Sequence, residues 1–344
     1  MNIKENSSMT SYRNVAFLVV ILLIIVSSIS LLIGRYDISV SDIIKIISAK
    51  INHSGLSDKL EISSYIIWDI RIPRIILAGI VGACIAIAGT CMQGLLQNPL
   101  VSPDVLGVSS GAGFGAALGI ILTSNNLITI QILSFGFGII SMALVFLFSK
   151  SRKDQSILSI ILSGIIVSSV FTSLISITKY VADTEEKLPA ITFWLMGSFS
   201  NASYDQIKTI ILPVMIGLIG LTMLRWKINI LSLGDDEAFT MGINPKRLRW
   251  IIIILCTIMV SSTVTVAGII GWIGLVIPHI CRKIIGYNHG YLVPLSGLTG
   301  AVFLIIVDCL ARNISSSEIP IGILTALIGA PIFAFLFMYK RGEI

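Results

Sequence analysis

RIPRIILAGIVGACIAIAGTCMQGLLQNPLVSPDVLGVSSGAGFGAALG, residues 71 to 119, sets the reading of the whole chain. It joins an arginine pair, a charge-free apolar run, a proline-punctuated turn and a second apolar run. Gly107, Gly111, Gly115 and Gly119 recur every fourth residue in that second run. On a helix this spacing puts them on one face, where a neighbouring backbone can come close. The stretch predicts two tightly packed membrane helices joined by a short, rigid turn.

The rest of the chain agrees. Hydrophobic residues make up 55%, charged residues only 12%, and mean hydropathy is +0.95. Apolar runs of about 18 residues are long enough to cross a bilayer. Residues 15–33, 75–96, 105–122, 127–148, 157–178, 251–270 and 319–339 qualify, and 209–224, 271–281 and 292–307 are weaker spans. The expectation is an all-α polytopic membrane protein of about ten helices, one transmembrane domain over residues 1–344. The first run lacks a small-residue cleavage site and reads as a retained helix, not a leader.

Charge gives the expected orientation. With the N-terminus inside, inner segments hold Lys150, Arg152, Lys153, Arg225, Lys227, Lys246, Arg247, Arg249, Arg282, Lys283, Lys340 and Arg341. The outer segments mix their bases with Asp37, Asp42, Asp58, Glu61, Asp69, Asp183, Glu185 and Glu186. That bias follows the positive-inside rule and puts both termini in the cytoplasm. The net charge of +6 therefore reflects topology and does not point to nucleic acid. The two long outer segments are 34–69 and 182–206, and the main inner segment is 225–250.

Catalytic signals are missing. No G-x-x-x-x-G-K-[ST] phosphate loop, H-E-x-x-H or G-x-S-x-G occurs, so the chain is read as a non-enzyme that does not hydrolyse ATP itself. The five cysteines lie in or beside apolar helices without metal-ligand spacing, and no metal or cofactor is expected. Asp308 and Arg312, four residues apart, are placed to pair on one helix. The mid-bilayer stretches show no lone acid, which speaks against a proton-coupled carrier. In the inner segment, Gly234 breaks the chain and Asp235, Asp236 and Glu237 fill the first turn of a short helix, where the dipole favours negative charge. Ala238, Phe239, Met241 and Ile243 supply an apolar contact surface, and Gly242 and Pro245 end the helix.

These residues resemble a known family. Arg71-Ile72-Pro73-Arg74, the Gln93–Leu100 turn, Leu106–Ala112, Leu233–Ala238 with Met241-Gly242-Ile243, Ala267–His279, Asp308 with Ala311-Arg312, Glu318–Gly322 and Gly329-Ala330-Pro331 are similar to motifs of the FecCD permeases. These are the membrane subunits of type II ATP-binding-cassette (ABC) importers for iron-siderophore complexes, haem and vitamin B12. The resemblance implies a ten-helix permease in a bacterial inner or plasma membrane. A second permease copy, identical or related, would enclose the path with it. Two ATPase subunits would dock inside and a substrate-binding protein outside. It also implies that Arg71, Arg74 and Arg312 receive acidic residues of the binding protein. Leu233, Gly234, Asp235, Asp236, Glu237, Ala238, Met241 and Gly242 would form the element that couples to the ATPase. The fifth span would line the path, with an inner gate at Gln155, Ser156 and Ser159. Gly107, Gly111, Gly115 and Gly119 keep their packing role. A secondary carrier of small solutes, needing no ATPase, is the alternative.

Overall fold

A computed structural model describes residues 2–52, 57–123, 126–150 and 157–338. Gln155 and Ser156 of the expected gate lie outside these residues, as do Arg152, Lys153, Lys340 and Arg341. Fourteen α-helices run through the described chain, and no strand occurs among the described residues. They are α1 (Asn2–Leu32), α2 (Val40–Asn52), α3 (Asp58–Tyr65), α4 (Ile72–Leu95), α5 (Val108–Leu122), α6 (Leu127–Lys150) and α7 (Ile157–Val181). Then follow α8 (Lys187–Leu195), α9 (Tyr204–Leu231), α10 (Asp235–Thr240), α11 (Pro245–Ala267), α12 (Ile273–Ile285), α13 (His289–Asn313) and α14 (Ile321–Met338).

Ten of these helices coincide with the ten apolar runs, and four short ones, α2, α3, α8 and α10, connect them. Seven spans are long and apolar enough to cross a membrane unaided, with α3 and α4 counted as one continuous run. The shorter α5, α12 and α14 are 15, 13 and 18 residues. At 1.5 Å per residue α5 reaches only about 22 Å, short of a hydrocarbon core of about 30 Å. The missing depth is made up by the irregular segment between α4 and α5, which includes a 3-10 turn at Pro103–Leu106. Non-helical backbone is tolerated at that depth when protein surrounds it. Here it packs on α4, α5, α6, α7 and α11.

Helix α4 is the hub, packing against α13, α11, α12 and α9. Its close neighbours are possible because Gly82, Ala86, Ala88 and Gly89 carry little or no side chain. α11 and α13 are also mostly buried, whereas α1, α6, α7 and α9 keep broad apolar faces outward. Outside the bundle, the described residues of 34–69 include two helices, α2 and α3. Ser39 opens α2 by accepting the Asp42 N–H at 3.1 Å while its hydroxyl donates to the Asp42 carboxylate at 2.7 Å. That hydroxyl holds the Asp42 carboxyl below its usual range. α3 then runs through a π-helical turn, Ile66–Arg71, straight into α4. The membrane run thus begins well before residue 75, because α3 adds its own turns to the apolar helix.

Candidate functional site

The functional candidates collect at the two ends of the bundle and along one outward helix face. At the first end, the π-helical turn and the start of α4 deliver Arg71 and Arg74, and the end of α13 delivers Arg312. All three were expected to receive acidic residues of a binding protein; in the structure they are 3%, 4% and 7% exposed and engaged within the chain. Arg74 Nε donates to Asp308 Oδ1 at 2.9 Å, and its two terminal nitrogens form a bidentate fork on Glu318 at 3.0 and 2.9 Å. Arg312 Nε stands 3.2 Å from Asp308 Oδ2, the pairing that their spacing suggested, and Arg312 Nη2 donates to Ser30 Oγ at 2.7 Å. Arg71 has no carboxylate partner among the described residues; it donates to the carbonyls of Leu32 at 3.1 Å and Tyr36 at 2.6 Å. A β-carbon on Gly34 would come within 2.5 Å of Arg71 Nη2, so that glycine makes room for the guanidinium.

The physical reason for the inward turn is compensation. Buried guanidinium groups must be paired and hydrogen-bonded, and this chain carries its own acceptors on α13, in the segment before α14 and around the end of α1. Arg74 and Glu318 are 244 residues apart, so no local spacing announced them.

At the opposite end, α10 is a six-residue helix held under α9 and α11. Gly234 opens it with φ of 136°, and Gly242 closes it with φ of 75°, a conformation that side chains disfavour. Asp235 accepts from Arg249 at 2.6 Å; Arg249, expected at the membrane edge, is 2% exposed and pins α10 to α11. Ala238 is fully buried against the bundle, so it is not part of the outward surface. Leu233, Phe239 and Met241 are exposed and form that surface, flanked by Asp236 and Glu237.

Between the ends, α7 presents an uncovered face. Leu158, Leu162 and Ile165 lie toward its start, and Ser169, Thr172, Ser173 and Ser176 toward its end. Ser169, Ser173 and Ser176 each donate to the carbonyl four residues earlier, at 2.8, 2.9 and 3.0 Å. The face is therefore apolar toward its start and polar but neutral toward its end, where Ser169, Ser173 and Ser176 have satisfied donors. Ser159, expected at a gate, turns away from it: it is 3% exposed and its hydroxyl donates to Ser149 O on α6 at 3.4 Å.

One acid is deeper than the sequence suggested. Asp104 sits in the turn before α5, which packs on α7 beside Gly164: a β-carbon there would stand 2.2 Å from Val105 O. Gly164 is seven residues into α7, about 10 Å along the axis. The Ser109 hydroxyl donates to the Asp104 carboxylate, and the acid borders an opening of about 570 Å³ with Ser168, Ser169 and Thr172.

The glycine ladder faces α6. A β-carbon on Gly115 would stand 2.2 Å from Leu133 O, and Gly111 and Gly119 meet the same helix. Gly107 precedes the helix with φ of 72° and accepts from Ser141 Oγ at 2.7 Å. Among the described residues no group of three or more His, Cys, Asp or Glu is placed to hold a metal.

Comparison with known proteins gives this geometry a context. Residues 21–339 match the model of the FecCD transport family. The molybdate import permease MolB of Haemophilus influenzae is 43% identical over 335 residues, covering 96% of this chain and 98% of its own. A probable iron chelatin transport permease of Helicobacter pylori is 39% identical over 319 residues, covering 93% and 96%. Among solved structures, an inward-facing conformation of a putative metal-chelate type ABC transporter superposes with a TM-score of 0.85 at 40% identity, covering 95% of this chain and 99% of that one.

Proposed function

The chain belongs to the FecCD transport family and is an ABC permease subunit, and from that premise we infer that it carries a metal-bearing cargo inward. A substrate-binding protein delivers the cargo at the arginine end, which faces outward. Separate ATPase subunits drive the cycle from the α10 end, which faces the cytoplasm together with both termini. Two permease copies bring their α7 faces together around the path.

The observation that carries this reading is α10. Leu233, Phe239 and Met241 stand exposed on a short helix that is clamped to the bundle through Asp235 and Arg249. An apolar knob on a rigid mount suits transmission of force from a partner. Gly234, Asp236, Glu237 and Gly242 shape its two ends. At the outer end, Arg71, Arg74 and Arg312 serve the binding protein by holding the platform in shape. Ser159, with Gln155 and Ser156, remains our proposal for the inner gate region through the α6–α7 junction.

Cargo is an iron chelate, haem or corrinoid in the first reading. The identity to MolB favours a second, a metal oxyanion such as molybdate. What favours an ATP-driven importer over a proton-coupled carrier is the family match over nearly the whole chain. The test is reconstitution in proteoliposomes with the cognate ATPase and binding protein, offering radiolabelled ferric chelate and molybdate in parallel. Uptake of one label that needs both ATP and the binding protein supports the reading. Uptake that ignores ATP and collapses with the ion gradient overturns it in favour of the carrier.

A further inference from the structure

A second cavity, of about 460 Å³, lies at the α10 end between the end of α4, the end of α12 and the start of α13. Its wall includes Arg282, Lys283, His289, Gln97 and Tyr287, and no Asp or Glu lines it. Arg282 is 9% exposed and makes no ion pair among the described residues. Its guanidinium donates to Gln93 Oε1, whose amide nitrogen is in turn committed to Gly274 O at 3.1 Å. A guanidinium has five N–H donors and stays charged, so a nearly buried one without a carboxylate lacks a counter-charge. The ordinary explanation of bases at this end, snorkelling into water, fits the exposed Lys283 and does not fit Arg282.

His289 adds a second, independent sign. It is 5% exposed, and its Nε2 has no hydrogen-bond partner. Asn229 Oδ1 already accepts the His289 backbone N–H at 2.7 Å and lies 3.0 Å from Nδ1. The shared acceptor fixes Nδ1 as the protonated nitrogen of the neutral ring, leaving a lone pair on Nε2 against the Gly94 wall. The cavity thus presents a charged fork, a rim ammonium that donates to Leu336 O at 3.3 Å with one of its three N–H groups, and one bare acceptor.

We propose that this cavity binds a phosphate-class tetrahedral oxyanion, with Arg282 and Lys283 neutralising its ionised oxygens and His289 Nε2 taking a hydrogen bond from a P–OH. Two sources share that chemistry: free inorganic phosphate and a phosphomonoester lipid headgroup such as that of phosphatidate. Sulfate and phosphodiester lipids carry the charge without the hydroxyl and bind less well. No residue of α7 or α10 lines this cavity, although Asn98 also borders the opening beside α7 and Ser232 lies just before α10; the importer reading does not depend on it.

The test uses the full chain in nanodiscs of zwitterionic lipid. Inorganic phosphate is titrated by calorimetry with sulfate as the comparison, and native mass spectrometry scores retained phosphatidate against phosphatidylcholine. Saturable binding of phosphate, or selective retention of phosphatidate, supports the site and tells which source fills it. R282Q should weaken the binding roughly tenfold or more, as expected for loss of a charge-assisted contact. K283Q changes an exposed rim residue, folds irrespective of the fate of R282Q, and should weaken binding by a smaller factor. H289Q should reduce the preference of phosphate over sulfate. Absence of saturable binding by either probe, or binding unchanged in both R282Q and K283Q, overturns the proposal.

Discussion

Arg74 is the residue on which the arginine end of the bundle depends. It is 4% exposed and holds two carboxylates, Asp308 through Nε and Glu318 through a bidentate fork. Removing one member of a buried ion pair leaves the other charge uncompensated, at a cost of about 3–5 kcal/mol. Arg74→Ala should therefore lower the unfolding midpoint of the purified permease, measured by chemical denaturation in detergent. Asp308→Asn should cost less, because Arg74 keeps Glu318 and Arg312 keeps Ser30. If Arg74→Ala is as stable as the parent, the network does not hold the platform. A charge reversal at Arg71, Arg74 or Arg312 is consequently a stability experiment before it is a docking experiment. Any loss of binding-protein affinity in such a variant must be read against its fold.

At the scale of elements, the seam between α5 and α6 is the most exacting contact. Gly115 has no room for a side chain, since its β-carbon would stand 2.2 Å from the Leu133 carbonyl oxygen. Backbone cannot rotate away as a flexible side chain can, so Gly115→Val must separate the helices. The expected loss is about 1–3 kcal/mol or more, the usual range for overpacking. The same substitution at Gly136, which has nothing within 4 Å, should be tolerated. Equal stability of the two variants would dismiss the seam. This ladder was legible in the sequence, as were the ten spans, because lipid demands continuous apolar runs and close helices demand small residues at fixed spacing. The α10 break was legible for the same reason: Gly234 and Gly242 mark conformations that few residues adopt. What escaped was whatever needs partners far apart in the chain. Glu318 carries no local sign of Arg74, and Asp235 none of Arg249. The packing of the Asp104 turn among α4, α5, α6, α7 and α11 was hidden too, since a turn between helices reads in sequence as an ordinary loop.

For the whole molecule, the proposed two-copy path turns on the uncovered face of α7. Along α7 the outward surface is apolar toward the start and carries Ser169, Thr172, Ser173 and Ser176 toward the end. Facing lipid, these hydroxyls would gain nothing beyond the helix carbonyls that Ser169, Ser173 and Ser176 already satisfy. Facing a second copy across water, they form a neutral lining that lets a charged cargo pass without holding it. Thiol labelling separates the two. Four of the five native cysteines are buried and Cys309 is partly exposed, so a Cys309→Ser background removes the one accessible competitor. In that background Ser169→Cys should react with a membrane-impermeant maleimide in proteoliposomes, and the reaction should slow when a binding protein loaded with cargo is present. Ile132→Cys, on the exposed face of α6, should stay unlabelled because lipid covers it. Labelling of Ile132→Cys with Ser169→Cys unreactive would place water on the other face and reject the two-copy path along α7.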